Sequence, residues 1–280
     1  MKLLSYRVGG ADHFGIATDA GVIELDKRTG VASLRALLLD GGVAKATQFK
    51  GEKPDHQLAD IEFLPVIPDA NKIVCIGVNY KDHAEEMRPG APLPKYPTVF
   101  ARFPDSQVGH GHPIARPRHS QNMDYECELA LVIGKGGRDI SEAAAYDHVA
   151  GYACYNDVSL RDYQNHTTQF TPGKNFTGCG AFGPWMVTPD EFGPIGKQNI
   201  VTRINGEVRQ NAPLDTMIFS VPTLIAYVSQ WSELKPGDVI ITGTPAGVAA
   251  GMKPEPVWMK PGDTVEVEID GIGILRNAIT

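Results

Sequence analysis

No run of apolar residues in this 280-residue chain is long enough to cross a bilayer, so a membrane-spanning helix is not expected. The opening stretch MKLLSYRVGG lacks both the long apolar core and the small-residue cleavage site of a secretory signal, and a cytoplasmic location is expected. Basic blocks are missing too. Lys and Arg total 26 against 33 Asp and Glu, a formal net charge of −7, which makes nucleic acid and anionic membrane poor candidate partners. Cysteine is scarce. Cys75, Cys127, Cys154 and Cys179 lie far apart and form no CxxC pair, which argues against a zinc knuckle or a redox dithiol. Their apolar settings, IVCIG and GYACYN among them, read as reduced core thiols.

What is present is ordinary globular composition, 42% hydrophobic, with 30 Gly and 21 Pro. Such punctuation suits short strands and many turns more than a helix bundle. Residues 1–69 read as a small separate unit. KLLSYRV, HFGIAT and GVIELD are strand candidates, and VASLRALLLDGG has helical spacing with a Gly stop. FLPVIPDANK then crosses into a main body over residues 70–280. There KIVCIGVNY reads as a strand, and KDHAEEM as a helix stopped by RPGAPLP. PTVFARF, ECELALVIG and YACYNDVS are further strands, and SEAAAYDHVAGY is expected to be an α-helix behind a Ser cap. RDYQNHTTQFTPGKNFTGCGAFGPW reads as one long polar, Gly-rich loop. NIVTRINGEVRQNA is a hairpin about Asn-Gly, TLIAYVSQW a helix, and two Pro-Gly turns launch the last strands. The strand–helix alternation is too irregular for a doubly wound sheet. The expected class is α+β, dominated by β.

The chemistry gathers at strand ends. In DYECELALVIG, Glu126 and Glu128 alternate with Cys127, so both carboxylates leave one face of a strand. Like charges that close need water, basic partners or a cation. The pair alone equally fits an exposed strand end. Asp157, closing YACYND, adds a third carboxylate. Oxygen-only ligands suit Mg²⁺, Mn²⁺ or Ca²⁺ and disfavour zinc. In GVNYKDHAEEM, His83 and Glu86 stand three apart on a helix face, a spacing that lets a carboxylate orient an imidazole base or simply makes a surface ion pair. Arg161 and Gln164, with Lys174, decorate the long loop, where Arg suits a carboxylate and Lys a developing oxyanion. His166 reads as a loop histidine. Thr244 in ITGTPAGV follows a buried strand and could bind a carboxylate or merely close a turn.

In order, IGVNYKDHAEEM, DYECELALVIGKGGRDIS, GYACYNDVSLRDYQ, GKNF, GPW, INGEVRQNAPLDTMIF, LKPGDVIITGTPAGV and VEVEIDGIGILRN resemble the fumarylacetoacetate hydrolase family across residues 70–280. The resemblance implies a mixed β-sandwich roll, usually a homodimer. It implies Glu126, Glu128 and Asp157 as ligands of Mg²⁺ or Mn²⁺, with Ca²⁺ as a further possibility. His83 and Glu86 become the catalytic pair on a segment that closes as a lid in relatives, with Lys174 assisting at the reacting oxygens. Arg161, Gln164 and Thr244 are implied substrate contacts. Gly178 and Cys179 replace bulkier or hydroxylated residues of some relatives, which touches the substrate and not the metal. The implied activity is metal-dependent C–C hydrolysis of a 2,4-diketo acid of the acylpyruvate type, releasing pyruvate in aromatic or sugar-acid catabolism. Decarboxylation of oxaloacetate and isomerisation of a hydroxydienedioate would use the same site, and a non-catalytic metal-dependent binder is the alternative from another class.

Overall fold

The computed structural model describes residues 1–280. One mixed sheet carries the molecule. Its main path runs Gly21–Glu24, Ala11–Thr18, Lys2–Val8, Gly180–Val187, Val149–Asn156, Cys127–Ile133, Val239–Ile241, Ile73–Gly77 and Thr98–Arg102. The first strand of the chain joins the path by antiparallel pairing of Lys2 with Val187 and Leu3 with Met186. A second sheet is ordered Glu207–Pro213, Asn199–Ile204, Thr264–Ile269, Gly273–Ala278.

The central strands are buried along their whole length because both faces meet a core. Alternation divides Cys127–Ile133 between them. Cys127, Leu129, Leu131 and Ile133 enter the core shared with the second sheet, where Ile200, Val267 and Leu275 meet them. Ala130 and Val132 enter the opposite core with Leu34, Leu37, Leu38 and Phe182. Each buried Leu, Ile, Val or Phe among them contributes about 1.5–3 kcal/mol, and a slip by one residue would exchange the strand's two faces. Glu126 and Glu128 share the parity of Ala130 and Val132. The register of this strand therefore fixes the direction of both carboxylates.

The smaller elements follow local signals. Val221–Trp231 is a helix whose Ser220 side chain accepts from the Thr223 N–H. Asn205 (φ 52°) and Gly206 (φ 82°) turn the hairpin between Asn199–Ile204 and Glu207–Pro213. No helix is long and apolar enough to cross a membrane.

Two expectations need correction. The Ala-rich segment forms a 3₁₀ helix, Glu142–His148, and Ser141 makes no side-chain cap. Seven residues with only Ala145 and His148 buried give little packing to hold a full α-turn. The end of the expected long loop is a strand, Gly180–Val187, in the middle of the sheet. Pro184 is tolerated there because the ladder to Val149–Asn156 breaks register between the Tyr152 and Cys154 pairs.

Candidate active site

Strand pairing brings the three carboxylates together. Cys127 lies opposite Asn156 and Glu128 opposite Tyr155, so Asp157, one residue beyond, falls beside Glu126. The Asp157 N–H donates to the Glu126 carbonyl at 2.9 Å. Glu126, Glu128 and Asp157 are all buried, and one ligand oxygen from each lies within 4.8 Å of the others.

Cations are woven among them unevenly. Lys174 Nζ donates to Glu126 Oε2 at 2.5 Å and to Asp157 Oδ2 at 2.6 Å. Arg161 Nη2 lies 2.6 Å from Glu126 Oε1 as an ion pair without hydrogen-bond alignment. Arg102 Nη1 donates to Asp157 Oδ1 at 2.5 Å. Glu128 receives only the Gly243 N–H, at 2.5 Å on Oε2. Gly243 has φ +95°, and a Cβ there would meet Asn79 Cβ at 2.7 Å, so a side chain would displace this donor.

The charge balance follows. Burial opposes ionisation of Glu126, but Lys174 and Arg161 outweigh it and hold the carboxyl at about 2. Burial, then the charges of Asp157 and Glu126, push Glu128 well above the usual carboxylate range. Burial also works against the Lys174 ammonium, yet Asp157 and Glu126 raise it. Four buried carboxylates, Asp124, Glu126, Glu128 and Asp157, thus face three buried cations, Arg102, Arg161 and Lys174. Ionising Glu128 would leave one negative charge in excess, and an all-oxygen set of that charge fits a hard divalent cation.

His83 and Glu86 share one face of the helix Lys81–Met87, with His83 Nδ1 3.0 Å from Glu86 Oε2. Glu86 is itself fixed by the Gly247 N–H at 2.9 Å on Oε1. It lies so close to Gly251 that a Cβ there would meet its carboxyl carbon at 2.3 Å. A carboxylate on Nδ1 selects the tautomer that leaves Nε2 with its lone pair.

Of the residues singled out in the sequence, His83, Glu126, Glu128, Arg161, Gln164, Lys174 and Thr244 line a single cavity of about 450 Å³. Glu86 and Asp157 stand behind it, bonded to residues that line it. Thr244 Oγ1 accepts from Gln210 Nε2 at 2.8 Å. His166 does not line the cavity.

Three structural residues were not anticipated. Asp124 is fully buried and accepts from Arg161 Nε at 2.7 Å, from the Ala249 N–H at 2.7 Å and from the Ala250 N–H at 3.0 Å. It anchors both a cavity arginine and the turn beside Glu86. Its signal was present, because Asp124, Glu126 and Glu128 form an unbroken alternation. Arg102 ties Asp157 to Val158 and to Cys179 Sγ, at 2.9 Å for the last. Asn79, just before the helix Lys81–Met87, accepts from the Phe219 N–H at 2.7 Å and donates to the Thr242 carbonyl at 2.7 Å. An arginine and an asparagine in apolar runs carry no such signal.

Residues 72–280 match the family model for the C-terminal domain of fumarylacetoacetate (FAA) hydrolase. The oxaloacetate tautomerase fahd2, mitochondrial, of Xenopus laevis is 43% identical over 223 residues, 79% of this chain and 69% of that protein. A fumarylacetoacetate hydrolase from Exiguobacterium antarcticum superposes with a TM-score of 0.88 at 36% identity, covering 100% of this chain and 99% of that one. The maleylpyruvate hydrolase of Sphingobium sp. SYK-6, solved in complex with manganese(II) ion and pyruvate, superposes at 0.83 with 25% identity, covering 100% and 99%. The chain belongs to the fumarylacetoacetate hydrolase family, and its fold is that of the family's solved structures.

Proposed function

We propose that the protein is a divalent-cation-dependent hydrolase that cleaves a C–C bond in an acylpyruvate and releases pyruvate. The observation that carries this reading is the placement of a carboxylate-oriented base, His83–Glu86, beside a cation-deficient trio of buried carboxylates lining or backing one cavity. Glu126, Glu128 and Asp157 would hold Mg²⁺ or Mn²⁺. When bound, the cation would supply charge stabilisation for the enolate of a 2-oxo acid.

The chain's own groups account for the remaining work. His83 Nε2, freed by the bond at Nδ1, takes a proton from water at the mouth of the cavity, and the hydroxide formed attacks the distal carbonyl. The C–C bond then breaks, its electron pair remains on the pyruvate fragment as an enolate, and a proton returned to carbon gives pyruvate. Lys174 stays charged and adds a cation beside the developing oxyanion. Arg161, held by Asp124 and Gln164, is preset to meet a substrate carboxylate together with Thr244. The manganese and pyruvate bound by the Sphingobium relative support this reading.

A second reading is tautomerisation of oxaloacetate, favoured by the Xenopus relative. It needs proton transfer between carbon and oxygen and no attacking water. Both readings are tested by incubating metal-loaded protein with a panel of acylpyruvates and with enol-oxaloacetate. Pyruvate release from an acylpyruvate, abolished by EDTA and by His83→Ala, supports the hydrolase. Accelerated enol–keto exchange with no pyruvate release replaces it with the tautomerase. Full hydrolytic turnover after EDTA treatment overturns the mechanism.

A further inference from the structure

The first 56 residues build a second cluster of metal-ligating side chains, outside the family match. Strand pairing creates it. Tyr6 lies opposite His13, Gly15 opposite Glu24, and Val22 bridges to His56. Asp26 follows two residues after Glu24 at the start of a short helical turn.

Hydrogen bonds draw the potential ligand atoms together. His13 Nδ1 is 2.9 Å from Asp26 Oδ2 and 3.8 Å from Glu24 Oε2, and His56 Nε2 is 2.9 Å from Glu24 Oε2. Ligand atoms around a tetrahedral dication with bonds of about 2.0 Å lie about 3.3 Å apart, within the span of these separations. One ligand atom each from His13, Glu24 and Asp26 lies within 4.8 Å of the other two.

A separate observation points the same way. Tyr6 is fully buried, its ring stacks on His13 at 5.6 Å and meets His56 edge-on at 5.8 Å, and its hydroxyl has no hydrogen-bond partner. Asp26 Oδ1 is buried and equally unpartnered. Native interiors seldom leave such groups orphaned. Fixed cations do not settle the local charge. Arg28 is committed to Glu52 and Asp55, and Lys27 reaches Glu24 Oε1 at 2.7 Å from a side chain that is 76% exposed and free to leave.

We propose that His13, Glu24, Asp26 and His56 form a structural site for a transition-metal dication of the zinc class. His13, Glu24 and Asp26 bring one imidazole and two carboxylates within 4.8 Å of one another, and His56, bonded to Glu24 at 2.9 Å, would swing in as the fourth ligand, giving a borderline donor set unlike the all-oxygen trio of the active site and a sphere closed as in structural sites. The ion would clip the segment at His56 to the N-terminal strands. The proposal does not depend on the reaction catalysed.

The test is equilibrium dialysis of the full-length protein against Zn²⁺ at neutral pH with Mg²⁺ in excess, followed by elemental analysis and thermal melting. One Zn²⁺ per chain and a raised melting temperature are expected. His13→Ala and His56→Gln, each checked for native circular dichroism, should weaken binding by more than the about 10- to 100-fold that loss of an outer-shell partner costs, while Glu128→Gln should leave it unchanged. Co²⁺ should give a tetrahedral visible spectrum in wild type and in Glu128→Gln, and none in His13→Ala. Absence of Zn²⁺ uptake by wild type, uptake unaffected by both histidine variants, or uptake lost only with Glu128→Gln would each overturn the proposal and leave an imidazole–carboxylate hydrogen-bond network.

Discussion

The two clusters differ in how their negative charge is answered. At the sheet centre, Glu126 and Asp157 are gripped by Lys174, Arg161 and Arg102, and only Glu128 is left without a cation. Near the N-terminus, Glu24 and Asp26 meet two imidazoles and one exposed lysine. Buried arginines and a buried lysine lock the first cluster whether or not an ion is bound. The second has no such lock. Donor chemistry then sets the ion each fits, a hard cation for the oxygens and a borderline one for the imidazoles.

That contrast can be broken by substitution, starting with the largest effect. His83→Ala should lower hydrolytic turnover by about 10²- to 10⁴-fold, the usual share of a general base, with Mn²⁺ binding unchanged. Steady-state rates and a metal titration on one preparation check it. Asp157→Asn should destabilise the fold by about 3–5 kcal/mol, because Arg102 is left as an unpaired buried charge. Glu24→Gln, whose partners are partly exposed, should cost far less, and urea unfolding of the two variants side by side decides. Similar losses for both would erase the distinction between locked and unlocked clusters.

A subtler prediction concerns protons. With no cation bound, Glu128 is held well above the carboxylate range by burial and by Asp157 and Glu126. Its proton must therefore leave before an ion can bind. Lowering the pH keeps that proton on and weakens binding, and raising the pH strengthens binding until Glu128 ionises unaided. Apparent Mn²⁺ affinity should rise by up to about tenfold per pH unit below that point, with proton release measurable by calorimetry in buffers of different ionisation heat. Smallest of all, Thr244→Val should raise KM a few-fold, the scale of one hydrogen bond at about 0.5–1.5 kcal/mol, with little change in kcat.

The same contrast explains what the sequence made legible. Period-two spacing put Glu126 and Glu128 on one face, and Asp157 ended a strand that pairs beside them, so strand logic reached the trio. The His83–Glu86 pair is local to one helix and equally readable. Arg102 and Asn79 were not, because their partners Asp157, Phe219 and Thr242 come from distant segments, and nothing near either residue distinguishes it from a strand or loop filler. His13, Glu24, Asp26 and His56 were hidden for the same reason: they are scattered through separate elements, and only hairpin register assembles them. The misread strand Gly180–Val187 shows the complementary failure. Its Gly and Pro content signals a loop, whereas a broken ladder and two apolar neighbouring strands hold it in the sheet.

The proposed hydrolysis requires a divalent cation held by Glu126, Glu128 and Asp157. Titrating metal-free protein with Mn²⁺ and following the free ion by electron paramagnetic resonance tests this directly. One tight site per chain in wild type, missing in Glu128→Gln, is the predicted result. No binding at saturating Mn²⁺, or binding that persists unchanged in Glu128→Gln, would contradict it.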